Sequence, residues 1–159
     1  MVDRALVFLT EPDAGRRKTV LTLLHRLPTV TTSTFATLAE TRKAMRSRLP
    51  RLMIGPWSQG GETLLAARAT AAGNAAAGAV PQALILTDAV SSSRISLTRQ
   101  AGNAELIPCD PLDAEGLFNR VTLLLYGAEA LYEGLEAEGR SALVEALEHL
   151  PALRRRLVA

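Results

Sequence analysis

The stretch ALVFLTEPD, residues 5–13, decides the fold of this chain. Its five successive apolar residues, Ala5–Leu9, indicate a strand that is buried on both faces, as strands of parallel sheets are. The turn Thr10-Glu11-Pro12-Asp13 ends this strand. An amphipathic helix follows, with Arg16-Arg17-Lys18 in its first turn and Pro28 as its stop signal. Strand, turn and helix together form one βα unit.

The same alternation recurs through residues 1–125. Four further strands are predicted: a β-branched outer strand at Thr29–Thr34, then Leu52–Ile54 ended by Gly55-Pro56, Ala83–Thr87 and Glu105–Pro108. Helices are predicted at about 36–48, about 62–72 after a loop over Trp57–Gly61, Ser91–Gln100 and from Ala114 onward. Five βα units in roughly 125 residues predict an α/β fold, a flavodoxin-like, doubly wound, five-stranded parallel sheet.

The last helix is predicted to outlast this domain. A heptad-like seam carries it to about Glu138, whereas a helix that closes such a domain needs only about 12 residues. The seam consists of Leu117, Val121, Leu124, Ala128, Leu131 and Leu135. We therefore expect an α/β domain at 1–125 and a C-terminal helical extension at 126–159.

Composition excludes several classes of protein. The single cysteine, Cys109, rules out an internal disulfide and a cysteine-rich zinc site, and the two histidines, His25 and His149, lie far apart. The longest apolar runs have about five or six residues, against about 20 for a membrane span. We expect a cytoplasmic protein with no membrane association, no metal and no cofactor.

Charge is distributed unevenly along the chain. Residues 1–51 hold ten basic and four acidic residues, whereas residues 105–150 hold two basic and ten acidic residues. Arg154, Arg155 and Arg156 make the tail basic again, but the segment 126–159 is too short for a helix-turn-helix domain with its own core, so we expect no nucleic-acid partner. The asymmetry fits either ordinary solvated faces or charge-complementary docking, to a partner or head-to-tail to a second copy.

Five segments, in order, carry a resemblance to a known family. They are residues 5–13, Pro50–Ile54, Gly60–Leu65, Pro81–Thr87 and Ile107–Asp113. The chain resembles the receiver domain of bacterial two-component response regulators over about residues 4–125. The resemblance implies an acid pair after the first strand for Mg²⁺ and a phosphoaccepting aspartate after the third. It further implies a hydroxyl residue that ends the fourth strand and a lysine before a proline at the fifth.

This sequence departs from that pattern at most of the implied positions. Thr10-Glu11, or Leu9-Thr10 if the register shifts by one, stands at the acid pair, and Pro56, with Gly55 beside it, stands at the phosphoacceptor. Thr87 keeps the hydroxyl, while Asp110 before Pro111 reverses the charge of the lysine. Without an ionisable oxygen at 56 no acyl phosphate can form there, and Asp110 would repel a phosphoryl group.

We therefore interpret the chain as a degenerate receiver, not an enzyme, that acts as a phosphorylation-independent interaction module. A protein partner or a second copy would bind its last helix and extension through Leu117, Val121, Leu124, Leu131 and Leu135. Trp57 either anchors such an interface or fills the degenerate pocket. Two alternatives stay open. An unorthodox response regulator would still be phosphorylated on a nearby acid, and a small flavodoxin-like protein would bind a cofactor.

A group of acids allows a further alternative. Glu11, Asp13, Asp88 and Asp110 should gather at the carboxyl ends of the strands and could bind a divalent cation. Asp13 and Asp110 equally suit helix starts, where carboxylates are favoured. We prefer the second interpretation and expect no metal.

Overall fold

A computed structural model describes residues 4–73 and 80–127 of the chain. Its strands are β1 (Ala5–Thr10), β2 (Val30–Phe35), β3 (Leu52–Pro56), β4 (Ser58–Gln59), β5 (Glu62–Thr63), β6 (Gln82–Thr87) and β7 (Ala104–Pro108). Its helices are α1 (Ala14–Leu24), α2 (Leu38–Ala44), α3 (Leu64–Gly73), α4 (Ser92–Ala101) and α5 (Ala114–Tyr126).

Five strands form one parallel sheet in the order β2-β1-β3-β6-β7, which confirms the predicted fold class. The order reverses between β1 and β3, because β2 lies on one side of β1 while the later strands continue on the other. In open α/β sheets, ligands bind at the carboxyl ends of the strands beside this switch point. The predicted helical extension, 126–159, lies almost entirely outside the described residues.

The core lies on the faces of the central strands. Phe8, Met53 and Ile85 point to one face and pack with buried residues of α2 and α3, among them Leu38 and Leu64. Alternate residues of the same strands, including Val7, Leu9, Ile54 and Leu84, are also fully buried. Because successive side chains in a strand point to opposite faces, the central strands are covered on both sides. This explains their unbroken apolar runs.

The region after β3 differs from the predicted loop. β3 continues through Gly55 and Pro56, and residues 58–63 form a small antiparallel ribbon of β4 and β5. Gly60 and Gly61 both have positive φ, +59° and +78°, as a two-residue hairpin with the right-handed twist of its strands requires. The Gly-Gly pair therefore makes a turn between strands. Helix α3 accordingly begins at Leu64, later than predicted.

Two helices are shorter than the sequence suggested. α2 spans only Leu38–Ala44, because Thr37 caps its start and its last turn closes at Met45. α5 ends at Tyr126, and Gly127 has a φ of +85°, which an uninterrupted helix does not allow. The single helix predicted to reach Glu138 is therefore wrong. Residues 128–138 lie outside the described residues.

The chain divides into two compact units between Ala114 and Glu115. The sheet and the carboxyl ends of its strands belong to the first unit. In the second, the described part of α5 buries Leu117, Val121, Thr122 and Leu125. None of the described helices is long and apolar enough to cross a bilayer.

Candidate functional site

The residues that the resemblance singles out lie where four neighbouring strands end. Thr10 ends β1 and Glu11 follows it, Pro56 ends β3 before Trp57, Thr87 ends β6 before Asp88, and Cys109-Asp110 follows β7. Parallel pairing brings all four strand ends to one edge of the sheet. The structure thus collects these residues around the switch point, the position at which such sheets bind ligands.

Thr10 is turned away from this edge and into the fold. It is 1% exposed, and its hydroxyl makes a short hydrogen bond with the hydroxyl of Thr41 on α2. Since Thr41 Oγ1 donates to the Thr37 carbonyl at 3.0 Å, the Thr10 hydroxyl is the donor in the bond between them. Its oxygen therefore serves as a tie between β1 and α2.

Glu11 is buried too, and its carboxylate closes the turn after β1. Oε1 accepts from the Asp13 backbone N–H at 3.0 Å and lies 3.4 Å from Nη1 of Arg16. Arg17 donates to the Glu11 carbonyl at 3.1 Å. Asp13 itself caps α1 by accepting from the Arg16 N–H at 2.7 Å. These carboxylates are thus used within the turn and the helix start.

Pro56 ends β3 at the position of the implied phosphoacceptor. It is half-buried and pairs in register with Leu86. The neighbouring position offers no substitute, because a Cβ at Gly55 would meet Leu64 Cδ1 at 3.1 Å and the Thr10 carbonyl at 3.4 Å. Neither residue carries an oxygen nucleophile, so this strand end cannot form an acyl phosphate.

Thr87 keeps its hydroxyl, but the surrounding chain saturates it. The hydroxyl donates to the Ala89 carbonyl at 2.7 Å and accepts from the Ala89 N–H at 3.2 Å. Nη1 of Arg94 donates to the same oxygen at 2.7 Å. A hydroxyl has one proton and two lone pairs, so its capacity is used up. An incoming oxyanion would have to displace one of these partners.

Arg94 is the residue of this site that the sequence analysis missed. It lies in the first turn of α4, and its guanidinium stands 5.0 Å from the centre of the Trp57 ring. Besides Thr87, it contacts the Asp88 carboxylate at 3.3 Å and the Ala89 carbonyl at 3.3 Å. It therefore joins the ends of β3 and β6 to α4. The sequence did offer a signal, namely a basic residue in the first turn of a serine-capped helix that follows β6.

Trp57 is half-buried and packs under this guanidinium. The two interpretations of Trp57, interface anchor or filler of the degenerate pocket, both stay predictions. The contact with Arg94 shows what it does within the chain. It supplies an aromatic face that holds a cation over the strand ends.

The end of β7 carries an exposed acid and a buried thiol. Asp110 is exposed, and the Asp110–Pro111 peptide is cis. Burial raises the pKa of the Cys109 thiol; Arg16 opposes this shift, while Glu11, Asp88 and Asp110 add to it. Charged groups that follow β1, β6 and β7 thus act on Cys109. Among the residues described in 4–73 and 80–127, no group of histidine, cysteine and carboxylate side chains is placed to hold a metal ion.

The predicted partner-binding residues belong to the second unit. Leu117 and Val121 are both 2% exposed, and Leu124 is half-buried. Leu131 and Leu135 lie outside the described residues. Of this set, Leu124 is the described side chain that a partner could reach without a rearrangement of α5.

Comparisons with known proteins rest on structure alone. The chain matches no protein-family profile, and no curated protein matches it by sequence. Solved structures do match. The signal receiver domain of a putative LuxO repressor protein from Vibrio parahaemolyticus superposes with a TM-score of 0.66 at 20% identity, covering 83% of this chain and 99% of that one. The chain has the receiver fold.

Other receiver structures agree. The chemotaxis protein CheY4 of Vibrio cholerae gives a TM-score of 0.65 at 16% identity, over 77% of this chain and 99% of that chain. The receiver domain of the putative response regulator NarL from Mycobacterium tuberculosis gives 0.61 at 12% identity, over 75% and 94%. At these identities the likeness establishes the fold.

Proposed function

We propose that this chain is a receiver-fold signalling protein that works without phosphorylation, as a protein–protein interaction module. The observation that carries the proposal is the state of Thr87, whose hydroxyl is saturated by Ala89 and Arg94. In a phosphorylated receiver such a hydroxyl would have to bond to a phosphoryl oxygen. Here a cation from the chain itself already holds it in one arrangement.

The other strand ends support the same proposal. Pro56 offers no nucleophile, and Gly55 has no room for one. Asp110 brings a negative charge to the position where the receiver resemblance implies a lysine, and it would repel a phosphoryl group. The Thr10 hydroxyl is tied to α2 instead of facing the edge. Positions 56 and 110 therefore lack the groups that phosphotransfer needs, and the hydroxyls of Thr10 and Thr87 are used within the fold.

A module of this kind acts through the surfaces it presents. We propose that α5 and the extension 126–159 bind a protein partner or a second copy, and that the chain has no enzymatic activity of its own. Leu124 is the accessible described side chain of the proposed seam. The acidic residues of 105–150 and the basic residues of 1–51 supply complementary fields that would orient either kind of association.

The first test is phosphorylation. The protein is incubated with acetyl phosphate and Mg²⁺, and its intact mass is measured. We expect no gain of about 80 Da, the mass of one phosphoryl group. A triple variant, Thr10→Asp with Pro56→Asp and Asp110→Lys, serves as the matched control that the assay can detect an acyl phosphate. A hydroxylamine-labile adduct on the unaltered protein would contradict the proposal and support an unorthodox response regulator, with the 81% exposed Asp88 as the first acceptor to map.

The second test is self-association. Light scattering at rising protein concentration measures the mass of the particle in solution. If the seam binds a second copy, the mass approaches twice that of the chain, and Leu124→Arg lowers it, because a buried guanidinium in an apolar interface is costly. A strictly monomeric protein at high micromolar concentration would remove the homodimer and leave a different protein as the partner.

A further inference from the structure

The strand β2 presents an open edge in the part of the chain that the structure describes. It pairs with β1 alone and lies at the end of the sheet order. The Ala5 N–H donates to the Thr29 carbonyl at 2.8 Å, which fixes the alternation along β2. Thr31, Ser33 and Phe35 then bond towards β1, so the backbone N–H groups of Thr32 and Thr34 point to the outer side.

Cations lie on and just after the helix that contacts this strand. Arg48 reaches β2 itself, since its Nη2 donates to Ser33 Oγ at 2.9 Å. Lys43 and Arg46, on and just after α2, are exposed, and α2 contacts β2. Glu40 is the acid on α2, and its carboxylate is already used, accepting from the Ala36 N–H at 3.1 Å. Lys43, Arg46 and Arg48 thus outnumber the single acid, Glu40, on and just after α2.

Most open edges are protected by charge. These like charges oppose the pairing of β2 with β2 of a second copy, because each copy would bring the same cations to the interface. The same cations attract a strand of opposite charge. The unpaired peptide groups of β2 and the nearby cations together thus favour the addition of an acidic strand over a basic one.

We propose that the β2 edge binds an extended, acidic polypeptide segment of a partner protein by strand addition. The peptide groups of Thr32 and Thr34 supply the ladder, and Lys43, Arg46 and Arg48 pair with carboxylates of the added strand. Arginine forms paired hydrogen bonds with carboxylates, which suits it to this task. A nucleic acid would meet the cations equally well, but it has no peptide groups with which to continue the ladder.

The test uses the full chain labelled with ¹⁵N and synthetic peptides as probes. The first peptide has the length of β2, six residues, with alternating glutamate and valine. We expect its addition to shift the amide signals of Thr32 and Thr34 and of neighbouring α2. A lysine–valine peptide controls for charge. A glutamate–valine peptide with N-methyl groups on alternate residues controls for the ladder.

Two pairs of variants separate the parts of the proposal. Thr32→Pro removes an outward N–H while Thr32→Val keeps it, and proline is tolerated on an edge strand. We expect the proline variant to bind the glutamate peptide about three- to tenfold more weakly than the valine variant, the effect of one lost hydrogen bond. Lys43→Glu with Arg46→Glu should weaken binding at least tenfold, whereas Arg99→Glu, a charge reversal on α4, should leave it unchanged.

Several results would overturn the proposal. Equal binding of the lysine peptide or of the N-methylated peptide would show that charge or the ladder is not used. Shifts confined to other parts of the chain would show another surface. Tighter binding of a single-stranded oligonucleotide at the same amides would make the cations a nucleic-acid surface instead. None of these results tests phosphorylation at the carboxyl ends of the strands, so the function proposed above is tested separately.

Discussion

The hydroxyl of Thr87 makes three hydrogen bonds, and the shortest two are to the Ala89 carbonyl and to Arg94, both at 2.7 Å. A single side chain from α4 thereby completes the hydrogen bonding of the Thr87 hydroxyl. It does so because a guanidinium can donate to several acceptors and stack on an aromatic ring at once. The side chain of Asp88 is 81% exposed, so water weakens its ion pair with Arg94 more than it weakens the contacts of Arg94 with Thr87 and Trp57.

Replacing Arg94 should loosen this arrangement. For Arg94→Ala we expect a loss of about 1–2 kcal/mol in the free energy of unfolding, from the hydrogen bond to Thr87 and the contact with Trp57. The emission of Trp57, the only tryptophan, should shift to longer wavelength as water reaches the ring. Urea denaturation followed by tryptophan fluorescence measures both. Arg99→Ala, at an exposed position of the same helix, is the control and should change neither by more than about 0.5 kcal/mol.

Cys109 predicts a pH dependence. Burial raises the pKa of its thiol above the ordinary value in the folded state. When the folded pKa of an acid is raised, its contribution to stability is fully present below the unfolded pKa and is lost as pH rises through the folded pKa. Relative to Cys109→Ala, the unaltered protein should therefore lose free energy of unfolding as the pH rises above about 8.5, the ordinary pKa of a cysteine. A difference between the two proteins that stays constant over this range would contradict the assignment.

At the scale of elements, one buried cation holds three segments together. Arg68 on α3 is 4% exposed and donates to four carbonyls, at the entrance to β6 and around the end of α4. Burial lowers the pKa of its guanidinium, yet the four acceptors satisfy the charge. The last carbonyls of a helix lack partners within the helix, and here a distant side chain supplies them.

Removing this cation should be costly. Arg68→Met keeps much of the apolar stem but leaves four carbonyls without their donor, and we expect a loss of about 3 kcal/mol or more in the free energy of unfolding. Arg68→Lys should recover only part of the loss, because one ammonium group cannot reach all four carbonyls. Urea titration of the three proteins measures the order of their free energies of unfolding. Equal stability of the lysine variant and the unaltered protein would show that charge alone suffices.

The ribbon of β4 and β5 is a second element-scale device. Gln59 accepts from the Leu38 N–H at 2.9 Å and donates to the Ala36 carbonyl at 3.0 Å, while Glu62 pairs with Arg42 at 2.9 Å. The Gln59 bonds attach the ribbon to the start of α2, and the Glu62–Arg42 pair attaches it to the middle of the same helix. The ribbon follows Trp57 directly, so its attachment also fixes the tryptophan.

The turn of the ribbon gives a test with an internal control. Gly60→Ala places a side chain at a φ of +59°, and we expect a cost of about 1 kcal/mol, although the space around it is open. Gly73→Ala adds the same methyl group in open space without a positive φ and should be neutral or slightly stabilising. Thermal melts of both variants measure the contrast. Equal effects would mean that the backbone conformation of the turn is not the deciding factor.

At the scale of the whole molecule, the carboxyl ends of the strands carry charges of both signs. Among the described residues, no group of side chains there is placed to hold a metal ion. Glu11 is held by the Asp13 N–H and Arg16, and Asp88 is held by Arg94. A divalent cation would have to break these contacts before it gained carboxylate ligands.

Magnesium therefore tests the molecule as a whole. We expect millimolar MgCl₂ to leave Tm unchanged relative to NaCl of equal ionic strength, because a ligand stabilises a protein only when it binds the folded state. The triple variant with Thr10→Asp, Pro56→Asp and Asp110→Lys is the comparison, and its Tm should rise with Mg²⁺. A rise for the unaltered protein would reveal a cation site at the strand ends.

Much of the fold could be predicted because its signals are local. The apolar runs of β1, β3 and β6, the proline stops and the serine and aspartate caps each lie within a few residues of the element they define. Errors occurred where local signals conflict. Gly55-Pro56 indicated a strand end, but pairing with β6 extends β3 through both residues. Gly60-Gly61 suggested a loop, although two successive glycines also suit a tight hairpin.

The sequence by itself determined that the sheet is parallel and five-stranded and that position 56 carries no nucleophile, because periodicity and residue identity are properties of neighbours along the chain. Only the tertiary structure decided that Arg94 saturates Thr87 over Trp57, that Thr10 turns to α2, and that Arg68 caps α4. These contacts join residues from different elements, and the packing of the helices on the sheet sets which side chains meet.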